Sequence, residues 1–431
     1  MNQTRDAKPL GFWSCWSLTV GCMIGSGVFM LPAVLAPYGL LSFGGWILAG
    51  LGSIALALVF ARQAARTTHD GGPYAYARNA FGPLVGFMMG WNYWLSYMIG
   101  IPVVAIAFVG YLEVFVPFLH DNAAAQAGAA MGLIGVLTII NLRGLREMSA
   151  VQILLTLLKI VPLVAIVALG FSLGAPDNLP TFNPTAQPVI GALAAVALIT
   201  LWPFTGFEVS TLPAGHVRDP QRTIPRALVW GMLTVTAIYL SATAAVMLLV
   251  PAEDLATSTA PFSDAAAHFG AWGPPFIAAG ALVATAGTLN GLIFTAGQMP
   301  MAVALDNLAP KWLARTNAGG SPHFALMLSS GLGALLLLAN YSRGLLGAFT
   351  FLLMMSTSLA LIYYLVVSLA ELRESWRSAR AWVSVAVFAA AYSIFATLGS
   401  GLEVLGWGLM AMAASVPLYF LWRRPAAQVA N

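Results

Sequence analysis

The sequence predicts an all-α membrane protein of about twelve transmembrane helices. Two observations carry that expectation, and a third says what kind of helices they are. Hydrophobic residues make up 59% of the 431 residues and charged residues 8%, whereas an average soluble domain is roughly a quarter charged. A soluble fold of this size could not hide so much apolar surface. The apolar residues also come in long runs, each able to cross a hydrocarbon core that needs roughly 20 helical residues. The first and sixth runs are broken in the middle by glycine and proline, and loose backbone is tolerated at membrane depth only where it is buried in protein or lines a cavity.

The first run, 10–36, holds Gly21, Gly25, Ser26, Gly27 and Pro32. Arg5 and Lys8 precede it as they would a signal peptide, but the apolar stretch outlasts a signal h-region and further runs follow, so it is read as retained. The second, 42–66, ends on Arg62 and Arg66. The third, 84–116, and the eighth, 273–302, are long enough to imply tilt. The fourth and fifth cover 125–142 and 150–172, and the fifth carries Lys159 within LLTLLKIVPL. The sixth, 189–214, contains LITLWPFTGFEVSTLPAGH, with Pro203, Thr205 and Gly206 in mid-run and Glu208 just after. The seventh is 225–249; the longest external loop, roughly 250–272, follows it and is expected to form a small amphipathic helix. The last four runs are 323–339, 345–367, 381–398 and 402–422. No soluble domain, low-complexity tract or linker interrupts this single integral domain.

The basic residues fix an orientation. Of 19 Lys and Arg, 13 fall in the loops on the N-terminal side and four in the two tails, against Arg343 alone in the opposite loops and Lys159 within a span. By the positive-inside rule both termini are expected in the cytoplasm. Basic residues spread over many loops argue against nucleic-acid binding, which gathers them in one patch. Cys15 and Cys22, seven apart on a helix, would sit about 10 Å apart, too far for a disulfide; both are expected to be packing residues. None of the five histidines (His69, His120, His216, His268, His323) has metal-ligand spacing, and no cofactor is expected.

Runs 1 and 6 correspond if 10–172 and 189–367 are two five-helix repeats, with 381–422 as two additional helices. Five is odd, so the second repeat enters the membrane from the opposite side. Interrupted helices at matching positions of inverted repeats are the sequence pointer to a transporter's binding site. At Gly25-Ser26-Gly27 the freed N–H groups and the positive end of a helix dipole suit a carboxylate. From Trp202 to Phe207 the freed carbonyls suit an ammonium group. Together they fit the two ends of an α-amino acid. Glycine also serves merely to let membrane helices pack closely; two matched interruptions favour the site.

Three stretches, GCMIGSGVFMLP (21–32), DGGPYAYARNAFGP (70–83) and GFEVSTLPAGHVRDPQRTIPRAL (206–228), resemble the amino acid–polyamine–organocation superfamily of transporters, and the resemblance runs over nearly the whole chain. It implies the five-plus-five inverted-repeat fold with broken helices 1 and 6, and alternating access. Within the superfamily the chain looks most similar to the bacterial arginine/agmatine antiporters, in the cytoplasmic membrane; the resemblance also allows a homodimer. Ser26 and Gly27, beside Gly25, match carboxylate-binding positions. Met23, Trp202 and Thr205 match positions whose carbonyls hold the amino group, and Trp202 matches an aromatic that stacks on the substrate. Tyr93, Glu208 and Tyr364 match a gate on its cytoplasmic side. Three positions depart from that branch: Ile101 and Cys22 replace asparagines, and Leu292 replaces an aromatic. Apolar side chains cannot hydrogen-bond a cation, whose burial without partners is costly. A neutral, apolar amino acid is therefore the expected substrate, with Ser96 and Tyr97 adding size limits or one hydrogen bond; an arginine/agmatine or other cationic amino acid/polyamine antiporter is the alternative.

Lys159 and Glu208 are the charges that lie clearly within spans, and an intramembrane ionisable residue is a functional hypothesis by default. Lys159 matches a lysine of proton-coupled permeases and of exchangers resembling the L-type transporters, where the ammonium stands in the place of sodium. It is expected either to exchange protons during transport or to hold the broken first span as a fixed cation; snorkelling to the interface is the bland reading. Glu208 is expected to gate and to carry protons, or merely to end the unwound stretch. Coupling to protons or to a counter-transported amino acid follows, without sodium. A membrane enzyme would need a catalytic pair at membrane depth, and none appears in the sequence; a channel would need rings of charge or carbonyls along an open pore, which a pocket closed by Trp202 and Tyr93 does not suggest.

Overall fold

The computed structural model describes residues 11–66, 72–143, 148–208, 217 and 219–422, with the backbone alone for Leu18, Cys22, Ser26, 148–158, Pro220, Gln221 and Arg377. Among these, nine helices are long and apolar enough to cross a membrane, and three shorter apolar helices lie at 27–38, 159–173 and 189–204. The fold is all-helical, and it is that of a multi-pass membrane protein.

The first apolar run is two helices, α1 (Phe12–Met23) and α2 (Ser26–Leu35). Helix α3 (Leu41–Arg66) follows, then the short α4 (Pro73–Phe81), and α5 (Pro83–Leu112). Next come α6 (Ala123–Leu142) and α7 (Met148–Leu173). The sixth run gives α8 (Val189–Leu201) and a 3-10 turn over Trp202–Phe204. After it lie α9 (Pro220–Leu249), the short α10 (Ala252–Leu255) and α11 (Pro261–Ala265), and α12 (Gly273–Leu305). The chain continues through α13 (His323–Asn340), α14 (Leu345–Ser378), α15 (Arg380–Leu398), α16 (Gly401–Ala413) and α17 (Ser415–Trp422).

Helix α5 is the hub. It is apolar on all sides, as a fully buried helix must be, and it packs against α12 and α14. Helices α16 and α17 lie at the periphery and expose Leu402, Phe420 and Leu421. Small residues set the close crossings: a Cβ on Gly45 of α3 would fall 2.1 Å from Val196 of α8, and one on Gly170 of α7 would fall 2.4 Å from Ala245 of α9. In lipid such van der Waals contact is a main source of helix association.

Two sequence expectations change. The tenth run was bounded at residue 367, but α14 runs on to Ser378. Its last turns carry Glu371 and Glu374, which bind Arg62 and Arg66 of α3, so a charged extension is held helical by its partners. The loop 250–272 is no single amphipathic helix. It forms α10, α11 and a 3-10 turn, and Phe262 is buried where its ring meets that of Phe29 at 5.3 Å. Cys15 is buried and unbridged, while the side chain of Cys22, and His69 and His216 altogether, lie outside the described residues.

Candidate functional site

The break between α1 and α2 is short. Ile24 is extended (ψ 97°), Gly25 carries φ −141° and ψ −150°, and α2 restarts at Ser26 with no side chain capping it. Its first N–H groups are thus donors without an intrahelical acceptor. Gly25 has no room for a side chain: a Cβ would fall 2.5 Å from Thr288 Oγ1 on α12. At Gly27 a Cβ would meet Pro203 and Trp202 at 3.0 Å, so the start of α2 touches the turn that follows α8; residues 209–216, where the sixth run would resume, lie outside the described residues.

The second break begins at the 3-10 turn. Thr205 turns back, its N–H and Oγ1 both donating to the Trp202 carbonyl at 3.1 and 2.7 Å. Gly206 has φ 98°, a left-handed conformation that suits glycine. Tyr239 of α9 ties the breaks together: its hydroxyl donates to the Met23 carbonyl at 2.7 Å and lies 3.2 Å from that of Pro203.

Between the breaks lies a cavity of about 160 Å³. Of the expected substrate positions, Met23, Gly25, Gly27, Ser96, Tyr97, Trp202, Thr205 and Leu292 line it, and so does Lys159. The Ser26 backbone opens α2 beside it. Ile101 is not on its wall. It is fully buried, with its side chain against Gly333 of α13; its neighbour Gly100 faces the Trp202 indole instead, where a Cβ would fall at 2.9 Å. The helical turn of about 100° per residue puts the two on different faces.

Glu208 sits below the second break, 4% exposed. Tyr97 donates to its Oε1 at 3.0 Å and Tyr363 at 3.2 Å; Tyr364 donates to Oε2 at 3.1 Å, and the Gly206 N–H to the same oxygen at 3.1 Å. Tyr93 stands behind, its ring 4.6 Å from that of Tyr97 and 5.1 Å from that of Tyr363. Tyr93, Glu208 and Tyr364 therefore converge, but outside the cavity wall. Tyr363 joins Tyr97 as a phenol on the wall; sequence reasoning missed it although the adjacent Tyr363-Tyr364 pair was visible. Thr288, Thr295, Ser356 and the bridging Tyr239 were missed as well; a hydroxyl in an apolar helix commonly just bonds the preceding turn, as Thr288 does to Ala284 O at 2.9 Å.

Chemically the cavity offers helix N–H donors at one end and hydroxyls and carbonyls elsewhere, with a carboxylate one phenol away. Each of Tyr97 and Tyr363 gives its single proton to Glu208, so its oxygen is left to accept from a ligand. Ser96 and Ser356, both on the wall, exchange hydroxyl-to-carbonyl bonds of 2.9 and 2.7 Å that fasten α5 to α14. Among the described residues no group of three or more His, Cys, Asp or Glu could hold a metal.

The family model described as amino acid permease matches residues 10–419. The chain is 30% identical to the cadaverine/lysine antiporter of Escherichia coli (strain K12) over 328 residues, 75% of this chain and 73% of the relative. It is 30% identical to the putative arginine/ornithine antiporter of Bacillus subtilis (strain 168) over 450 residues, covering 94% and 95%. To the putrescine transporter PotE of Escherichia coli (strain K12) it is 29% identical over 432 residues, covering 98% and 97%. The expected resemblance thus holds, while none of these names speaks for a neutral amino acid. The chain belongs to the amino acid permease family, in the antiporter branch of the amino acid–polyamine–organocation superfamily, and is a transporter of that amino acid and polyamine class.

Proposed function

We propose that this chain exchanges cationic amino acids and their amine relatives across a bacterial cytoplasmic membrane, by alternating access around the cavity between α2 and the Trp202–Phe204 turn. The observation that carries this reading is a pocket between the α1–α2 break and the turn that follows α8, with α2's open N–H groups and, on the same wall, phenol acceptors backed by Glu208. Substrate carboxylate on the α2 N-terminus and a terminal ammonium on the oxygens of Tyr97 and Tyr363 would use both. The apolar-pocket case for a neutral substrate rested on Ile101 and Leu292. Ile101 is turned away, and Leu292 alone leaves many hydroxyls on the wall. The relatives named for cadaverine, lysine, arginine, ornithine and putrescine fit the cationic reading.

The reading includes twelve spans in two inverted five-helix repeats (10–172 and 189–367) plus two further helices (381–422), both termini in the cytoplasm, and Gly25, Ser26, Gly27, Met23, Trp202 and Thr205 as substrate contacts. Tyr93, Glu208, Tyr364 and Tyr363 form the gate. One observation favours a second reading: Lys159 lies on the cavity wall, 3% exposed, where its charge would repel a diamine and suit a neutral amino acid exchanged or carried with a proton. Counterflow into proteoliposomes separates them. Vesicles preloaded with lysine, arginine, ornithine or putrescine are expected to accumulate the labelled cation, and vesicles preloaded with leucine or alanine are not. Accumulation driven only by the neutral amino acids overturns the cationic reading in favour of the second.

A further inference from the structure

A second hollow, of about 300 Å³, lies away from the broken helices, between α5, α12, α13 and α17. Four tryptophans, Trp91, Trp94, Trp312 and Trp422, line it with Phe87 and Leu332. A polar ligand has little to hold there. The Trp91 N–H is already given to the Ala411 carbonyl at 2.9 Å and the Trp94 N–H to Ser329 Oγ at 2.8 Å, so both rings present only carbon. Trp312 is 42% exposed and its ring meets that of the exposed Phe324 of α13 at 5.8 Å; α13 and α17, which line the hollow, also expose Met327 and Phe420, as the outward face of a membrane helix bundle does. The hollow therefore opens towards lipid.

Its rim is basic. Lys311 and Arg315 flank Trp312 and Leu313 in the chain; both are exposed, and neither makes an ion pair among the described residues. The nearby acid Asp306 is bound by Arg78 at 2.8 Å and by Tyr74 at 2.6 Å.

We propose that this hollow is a binding site for an anionic phospholipid, one acyl chain among the tryptophans and the phosphate against Lys311 and Arg315. An acyl chain gains no hydrophobic energy on moving from bulk lipid into protein, so packing against the rings holds the chain and the rim charges choose the headgroup. A basic side chain near a membrane surface contributes enough for about fivefold in affinity per charge. The site is independent of what the central cavity carries.

Native mass spectrometry of the delipidated full-length protein tests it, with equal phosphatidylglycerol and phosphatidylethanolamine of the same chain length. Phosphatidylglycerol is expected to be retained in preference, by about fivefold less in Lys311→Gln and about 25-fold less in Lys311→Gln/Arg315→Gln. Leu332→Trp, which fills the hollow, is expected to lower retention of both lipids; the two rim variants are surface changes and keep the test open should it not fold. Equal retention of both lipids by the unaltered protein overturns the proposal, as does a preference untouched by the rim variants. Lipid uptake that rises when residues 423–431 are removed would make the chain's own tail the occupant, and uptake blocked by dimerisation would make it a second copy.

Discussion

Two buried carboxylates show how differently one membrane protein can house the same group. Glu371 on α14 is fully buried and meets Arg62 Nε at 2.8 Å, Arg66 Nη1 at 3.2 Å, Gln63 Nε2 at 2.7 Å and the hydroxyl of Ser375. Glu208 is almost as buried, but its hydrogen bonds come from three phenols and an amide. Guanidiniums have one protonation state and a fixed fork, so the Glu371 cluster clamps α3 to α14. Phenols spread over α5 and α14 can turn, re-donate to a substrate, or follow a change in the carboxyl's protonation. One acid is held by permanent charges and the other by groups that can re-donate, and the proposed gating at Glu208 rests on that difference.

The largest effect is expected where the fixed acid is neutralised. Glu371→Gln leaves two guanidiniums facing an amide; breaking one partner of a buried pair costs roughly 3–5 kcal/mol, and with Arg66 about a third exposed the lower end, about 3 kcal/mol, applies. Thermal melts of purified protein should show it, with exchange per folded molecule largely kept. Glu208→Gln should weigh on transport instead: its amide oxygen still accepts from the phenols, so the melt should move less than for Glu371→Gln, while counterflow slows about 50-fold, a loss of about 2.3 kcal/mol within the range of hydrogen bonds to a charged group. If the two variants exchanged phenotypes, the distinction between clamp and responder would be broken.

The first break sharpens the same contrast. Gly25→Ala places a methyl 2.5 Å from Thr288 Oγ1, and should slow transport by about tenfold through a strain of about 1.4 kcal/mol. Thr288→Ala removes the obstacle, so the double variant should recover most of the loss. A double variant no faster than Gly25→Ala alone would mean that the glycine is needed for its backbone and not for the close approach. Smaller again is the difference between adjacent phenols. Tyr363→Phe removes an acceptor on the cavity wall and should raise the KM for a cationic substrate about fivefold, whereas Tyr364→Phe, off the wall, should leave KM alone and alter turnover.

How much of this could be read from the residues depended on whether the signal was local. The helix breaks were legible because Gly25-Ser26-Gly27 and Pro203 violate what a membrane span allows, and Lys159 and Glu208 because charge is rare there. Ile101 was misplaced because sequence fixes neither the rotation of α5 nor its crossing with α13; its neighbour Gly100 faces Trp202 instead. Tyr239 was invisible because a tyrosine in an apolar helix carries no mark of the distant carbonyls it will meet. Arg62 and Arg66 were read as orienting charges, and only packing shows that they hold Glu371. The neutral-substrate expectation failed to find support because it read apolar substitutions one by one, without the phenol oxygens that Glu208 turns towards the cavity.

The smallest expected effect lies outside the membrane, on α11. Burial raises the pKa of the Asp264 carboxyl above its ordinary value, and the Ser258 hydroxyl, which donates to it, offsets that only in part; Asp254 adds to the rise and His120 opposes it. The folded loop therefore keeps its proton to higher pH than the unfolded chain does. Where the unfolded state binds fewer protons, stability falls as pH rises. The contribution is thus full below the ordinary value of 3.8 and is lost as pH climbs through the raised folded value. Melts of the purified protein across the acid range should carry this slope. Asp264→Asn, which cannot ionise yet can still accept from Ser258, should flatten the slope while leaving exchange rates unchanged. A slope that persisted unchanged in Asp264→Asn would show that Asp264 is not its origin.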